Sequence, residues 1–155
     1  MNYIYIEEDI ELEENHKQII KDTVNKVWEK ESLPEISLCV LITDKEGIRE
    51  INKENRNIDS PTDVLSFPYL TFDDNYNMIE NPEDEKDPET NTLMLGDMVI
   101  CMDVIKEHAE EYLNTVEQEL SYMVVHSMYH LLGYDHMNEE DKKVMREKEK
   151  EIIRN

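Results

Sequence analysis

Three of the chain's five histidines fall in eleven positions, 126–136, which read His-Ser-Met-Tyr-His-Leu-Leu-Gly-Tyr-Asp-His. On a helix over residues 116–132, His126 and His130 project from one face a turn apart, with β-carbons roughly 5–6 Å apart. That separation lets two ring nitrogens reach one ion at about 2.0–2.1 Å. Gly133 stands where a helix ends in a left-handed residue, a conformation glycine adopts without strain. The chain can then turn back and bring His136 in as a third ligand. Three ligands leave a fourth position open, as in a catalytic rather than a structural zinc site. One Zn2+ per chain, held by His126, His130 and His136, is the expectation. The blander account, imidazolium favoured near a helix C-terminus, serves for one histidine better than for three at this spacing.

The spacing matches the metzincin zinc signature H-E-x-x-H-x-x-G-x-x-H. Ser127 stands where those peptidases carry the glutamate general base, so the ligand geometry is kept and the proteolytic base is not. A zinc peptidase is therefore the weaker of the enzymatic readings.

Several elements must position these residues. Residues 2–6 alternate as a first strand. A helix over about 15–31 carries Ile20, Val24 and Val27 on one face, with Pro34 past its end. Residues 36–42 are a nearly all-apolar strand, which predicts burial on both faces. Thr43 with Glu46 forms a capping box opening a helix to about Asn55. On it Lys45, Arg49, Lys53 and Arg56 share a face, but Glu46, Glu50 and Glu54 interleave at the same period, the pattern of paired solvated charges. Residues 64–67 are a third strand ended by Pro68, and 95–102 a fourth. Between them, residues 73–92 carry eight acids against one lysine and predict a flexible acidic loop. Asp103 can cap a helix to about Leu113, and Thr115 with Gln118 makes the capping box of the histidine helix. There Val116, Leu120, Met123, Val124, Ser127 and Leu131 form the core stripe, which places both histidines at its edge. Ser127 is the small residue that permits close approach of a neighbour. Asn138 with Asp141 caps a last helix. The fold class is α+β: one domain over 1–155, a mixed sheet of about four strands packed with helices, including a metzincin-like zinc-site helix.

No apolar run reaches the length of a membrane span, and the acidic N-terminus lacks the positive region of a secretory signal. Cys39 and Cys101 lie in apolar strand-like segments without C-x-x-C spacing, so buried reduced thiols and a cytoplasmic location are expected. The net charge of −22 argues against broad, electrostatically driven binding to nucleic acid. Any such role must rest on local positive groups or on the metal.

Three segments carry a resemblance. They are Ile51-Asn52 through Arg56, then Asp59-Ser60-Pro61-Thr62-Asp63-Val64-Leu65-Ser66-Phe67-Pro68; Leu95-Gly96-Asp97-Met98-Val99-Ile100-Cys101; and His126 to His136. In order and spacing, over most of 36–150, they resemble the YbeY family of bacterial rRNA-maturation endoribonucleases. Ser127 and Tyr129 depart from that family's usual H-G-x-L-H-L. The resemblance implies a zinc held by the three histidines, cleavage of single-stranded RNA, maturation of the 3′ end of small-subunit (16S) rRNA and a part in ribosome quality control. Partners would be rRNA and the small ribosomal subunit or its basic proteins, with no membrane and no DNA. Arg56 matches the family's functionally implicated arginine, so Arg56 and His126 are the candidate catalytic residues.

The chemistry is consistent with this. A three-histidine zinc lowers the pKa of bound water towards about 7 or polarises a phosphoryl oxygen. A guanidinium fork suits the charge that builds on equatorial oxygens. Asp135 and Asp97 are candidate partners for the imidazole N–H groups, and Thr62 and Asp63 candidate stabilisers of the loop presenting Arg56. The rival outside enzymology is a metal-stabilised module whose acidic surface docks a basic ribosomal protein.

Overall fold

The structure is a computed structural model that describes residues 1–135 and 138–153. In chain order it runs β1 (Tyr3–Glu8), α1 (Glu14–Lys30), β2 (Ile36–Thr43), α2 (Lys45–Arg56), β3 (Val64–Pro68), β4 (Lys86–Asp87), β5 (Thr92–Cys101), α3 (Met102–Glu111), α4 (Val116–Leu131) and α5 (Glu139–Ile153). The sheet order is β1-β2-β5-β3, with β4 also on β5. The strands β1, β2 and β5 are parallel, while β3 and β4 run antiparallel along the same edge of β5. The mixed α+β architecture is thus as expected. β4 adds one strand to the four anticipated, within the acidic stretch 73–92. That stretch also carries a 3-10 turn at Pro82–Glu85, and its Met78 forms a bridge to Phe72 just before it.

Helices cover the two sheet faces unequally. The main core joins Leu38, Val40, Ile42, Leu95, Met98 and Ile100 of the sheet to Ile20, Val24 and Val27 of α1 and to Leu120, Val124 and Leu131 of α4. A smaller cluster on the other face sets Ile48 of α2 and Val104 of α3 against Leu65 and Val99. Beyond the reach of α2 that second face is open. Cys39 is exposed there, which corrects the expectation of a strand buried on both sides; Cys101 is buried, and both thiols are free.

Two cap assignments also change. Asp44, not Thr43, caps α2, accepting from the Gly47 N–H at 2.8 Å, because Thr43 still belongs to β2. Cys101 occupies the cap position of α3 without a side-chain bond, so Asp103 lies in the first turn and not at the cap. The Thr115–Gln118 capping box of α4 is present in full, and the Asp141 N–H donates to Asn138 Oδ1 at 2.8 Å before α5. Lys45 pairs with Glu107, and Arg49 with Asp59 at 2.7 Å and with Glu46. Lys45 and Arg49 of α2 are therefore paired charges rather than members of a phosphate stripe.

Candidate active site

The histidine helix owes its placement to its two ends and its apolar stripe. Its stripe packs on the sheet and α1, so the next residues round the helix meet the edge of that contact. Its C-terminus closes in a Schellman motif: the Gly133 N–H donates to the His130 carbonyl at 3.0 Å and the Tyr134 N–H to that of Tyr129 at 2.9 Å. Gly133 has φ +94°, and a β-carbon there would lie 2.6 Å from the Phe72 ring. Tyr134 is buried in a stack with Tyr76, ring centroids 4.0 Å apart and planes within 4°. The turn after the helix is therefore held by a residue type at 133 and by aromatic packing from the segment after β3.

His126 and His130 converge. Their Nε2 atoms are 3.1 Å apart and their rings nearly perpendicular, at 86°. Two nitrogens bound to one tetrahedral ion at about 2.0–2.1 Å would stand roughly 3.3 Å from each other, so the pair is already set for a shared cation. Among the described residues no third histidine, cysteine or carboxylate joins them in a ligand cluster. His136, the expected third ligand, lies outside the described residues.

Behind His126 sits a residue that sequence reasoning missed. Glu149 of α5 is 3% exposed, and its Oε1 lies 3.2 Å from His126 Nδ1. The Tyr122 ring stacks on His126 at 6.3 Å; burial, followed by the charge of the Glu149 carboxylate and a hydrogen bond to it, pushes the Tyr122 phenol up to about 12. A buried carboxylate on the distal nitrogen and a converging partner on the proximal one suit the chemistry of a metal-binding imidazole. The described residues therefore fit a zinc-class cation.

Arg56 reaches the same cleft from the end of α2. Its Nη2 donates to the Ser66 carbonyl at 2.7 Å, and its guanidinium lies 5.5 Å from the Phe67 ring centroid. β3 is registered against α4 directly, since the hydroxyls of Ser66 and Ser127 are 2.6 Å apart in the core. Ser127 thus does allow close approach, and adds a hydrogen bond to it. Asp63 starts β3: its Oδ1 accepts from the Val64 N–H at 2.8 Å and from Thr62 Oγ1 at 3.2 Å, and its Oδ2 meets His108 Nδ1 at 3.2 Å. The loop between Arg56 and β3 is tied further by Asn52, whose Nδ2 donates to the Ser60 carbonyl at 3.0 Å.

The resulting cleft has a volume of about 660 Å³, with Arg56, Asp63 and Ser66 on one wall and His126, His130 and Asp135 on the other. Asp135 is present at the cleft; Asp97 is not a histidine partner, because its carboxylate accepts from the Tyr69 hydroxyl at 2.7 Å beside Cys39 on the open sheet face. Tyr129 is fully buried, and its hydroxyl donates to Glu31 at 3.3 Å, which takes it away from the cleft.

The family model described as Endoribonuclease YbeY matches residues 3–155. A protein of that name from Lachnospira eligens is 45% identical over 159 residues, covering 97% of this chain and 94% of its own. Another, from Clostridium botulinum, is 50% identical over 123 residues, covering 77% and 73%. The solution structure of TM1509 from Thermotoga maritima superposes with a TM-score of 0.63 at 28% identity, covering 97% of this chain and 86% of that one. The chain belongs to the Endoribonuclease YbeY family.

Proposed function

We propose that the chain is a zinc-dependent endoribonuclease for single-stranded RNA that matures the 3′ end of 16S rRNA and takes part in ribosome quality control in the cytoplasm. One zinc per chain would be held by His126, His130 and His136, and the partners would be the small ribosomal subunit and its basic proteins. The observation that carries this reading is the convergence of the His126 and His130 Nε2 atoms, 3.1 Å apart, on the cleft that Arg56 also lines.

The bound cation would supply Lewis acidity, towards a phosphoryl oxygen or a water. The chain's own groups do the rest. A guanidinium has five N–H donors; one of Arg56's is fixed on the Ser66 carbonyl, which aims the remaining fork at a phosphate in the cleft. Arg56 then offsets the negative charge that grows on the equatorial oxygens during cleavage. His126 and His130 present their Nε2 atoms from one rigid helical turn, so no reorganisation is needed as charge develops. Val64, Leu65 and Met123 line the cleft beside them, lowering the local polarity in which the arginine acts.

The test is metal content and RNA cleavage measured together. Purified wild-type protein should carry one zinc and cut a single-stranded RNA, with activity lost on chelation. His130→Ala should lose both metal and cleavage. Arg56→Ala should keep the metal and lose about 10²–10³ in kcat, the scale of one preorganised charge-stabilising donor. Unchanged cleavage by Arg56→Ala at full metal content would overturn the role given to the arginine, and casein digestion in place of RNA cleavage would overturn the reaction class.

A further inference from the structure

Glu149 stands apart from the other charged residues of α5. Its neighbours point outward to α1, Lys148 towards Glu31 and Glu151 towards Lys30. Glu149 is instead buried, with its Oε1 3.2 Å from His126 Nδ1. Burying a carboxylate is costly, and packing alone would be served better by an apolar residue. The carboxylate faces the one nitrogen of His126 that turns away from the cleft.

We propose that Glu149 is a positioning residue of the active site, fixing His126 as the Nδ1–H tautomer so that its unprotonated Nε2 faces the cleft. The proposal rests on reading His126 as a metal ligand. The geometry gives it an internal check. If Nδ1–H donates to Glu149, then His126 Nε2 can only accept in the 3.1 Å contact with His130. Where that contact is a hydrogen bond in metal-free protein, His130 donates from Nε2, and the two rings, four residues apart on one helix, carry these protons on opposite nitrogens.

Long-range proton–nitrogen correlation NMR on metal-free, 15N-histidine-labelled protein tests this, at about pH 8.5, some two units above the ordinary imidazole value of about 6.5. The expected result is His126 protonated on Nδ1 and His130 on Nε2. Zinc affinity, measured by chelator competition, should fall about 10–100-fold in Glu149→Leu, with the tautomer preference of His126 lost. Glu149→Gln, whose amide oxygen still accepts, should keep the tautomer and lose less than about tenfold. A wild-type His126 ring protonated on Nε2, alone or with Nδ1, overturns the proposal, whether or not the leucine variant folds. So does wild-type zinc affinity in folded Glu149→Leu, since a purely structural glutamate would move only the melting temperature. A chain showing the expected tautomers but no zinc affinity would uphold the positioning and overturn the metal reading.

Discussion

Ser127 is fully buried, and its hydroxyl meets that of Ser66 at 2.6 Å. Ser66 also gives its carbonyl to Arg56, so one residue of β3 touches the histidine helix by its side chain and the arginine by its backbone. Ser127→Ala leaves a buried hydroxyl unpaired and should cost about 1–3 kcal/mol. The double variant Ser66→Ala, Ser127→Ala should recover part of that loss, because removing both partners is nearly neutral. Denaturant unfolding of the four proteins gives the coupling, and strict additivity would show that the pair makes no energetic contact. The residue types at 126, 130 and 133 pointed from spacing alone to a helix with two converging imidazoles, and those two rings do converge. The serine in the glutamate position announced only that a peptidase base was missing. Its bond to Ser66 spans 61 residues and has no local trace in the sequence.

At the level of elements, α4 was legible because its signals are local. The capping box at Thr115, the apolar stripe and the glycine after the last turn each lie within a few residues of what they control. Glu149 was not legible for the opposite reason. It is one of several glutamates on a charge-laced helix, and only the docking of α5 against α4 distinguishes it from its solvated neighbours. Thr43 and Asp44 are adjacent and both able to cap, and the length of β2 decides between them. Asp97 and Asp135 looked equivalent as histidine partners until strand pleating placed Asp97 on the far sheet face. The turn at Gly133 carries a further test. Gly133→Ala imposes an unfavourable positive φ on a residue with a β-carbon, at about 1–3 kcal/mol, and drives that carbon into the Phe72 ring. We expect a melting temperature lower by several degrees, at about 2–4 °C per kcal/mol for a chain of this size, with weakened zinc binding. A variant that melts like wild type would show that the turn relaxes freely.

Taken whole, the molecule is a strongly acidic body with a net charge of −22 that must admit a polyanion. Lys45 and Arg49 are already paired with carboxylates, and among the described residues lining the cleft Arg56 is the lysine or arginine present. Few phosphates are then neutralised on binding, and salt dependence should be shallow. For one or two contacts to a single strand, the slope of log affinity against log salt is about −0.7 to −1.4. Affinity for a short single-stranded RNA should thus fall by less than about tenfold between 50 and 200 mM salt, and Arg56→Ala should flatten the line. A steep slope would point to a basic surface contributed by a partner. The same economy of positive charge suits a nuclease that discriminates: a cleft with one arginine gains little from RNA in general and must be brought to its substrate by other contacts.

The site's parts are scattered along the chain in a telling order. The arginine and its strand are made first, the paired imidazoles some sixty residues later, and the carboxylate at position 149 last of all. On the roles proposed above, a polypeptide still being translated would hold the arginine for a long interval before the imidazoles and their carboxylate. An RNA-cutting enzyme made in that order would stay incomplete until residues beyond α4 have emerged and packed home.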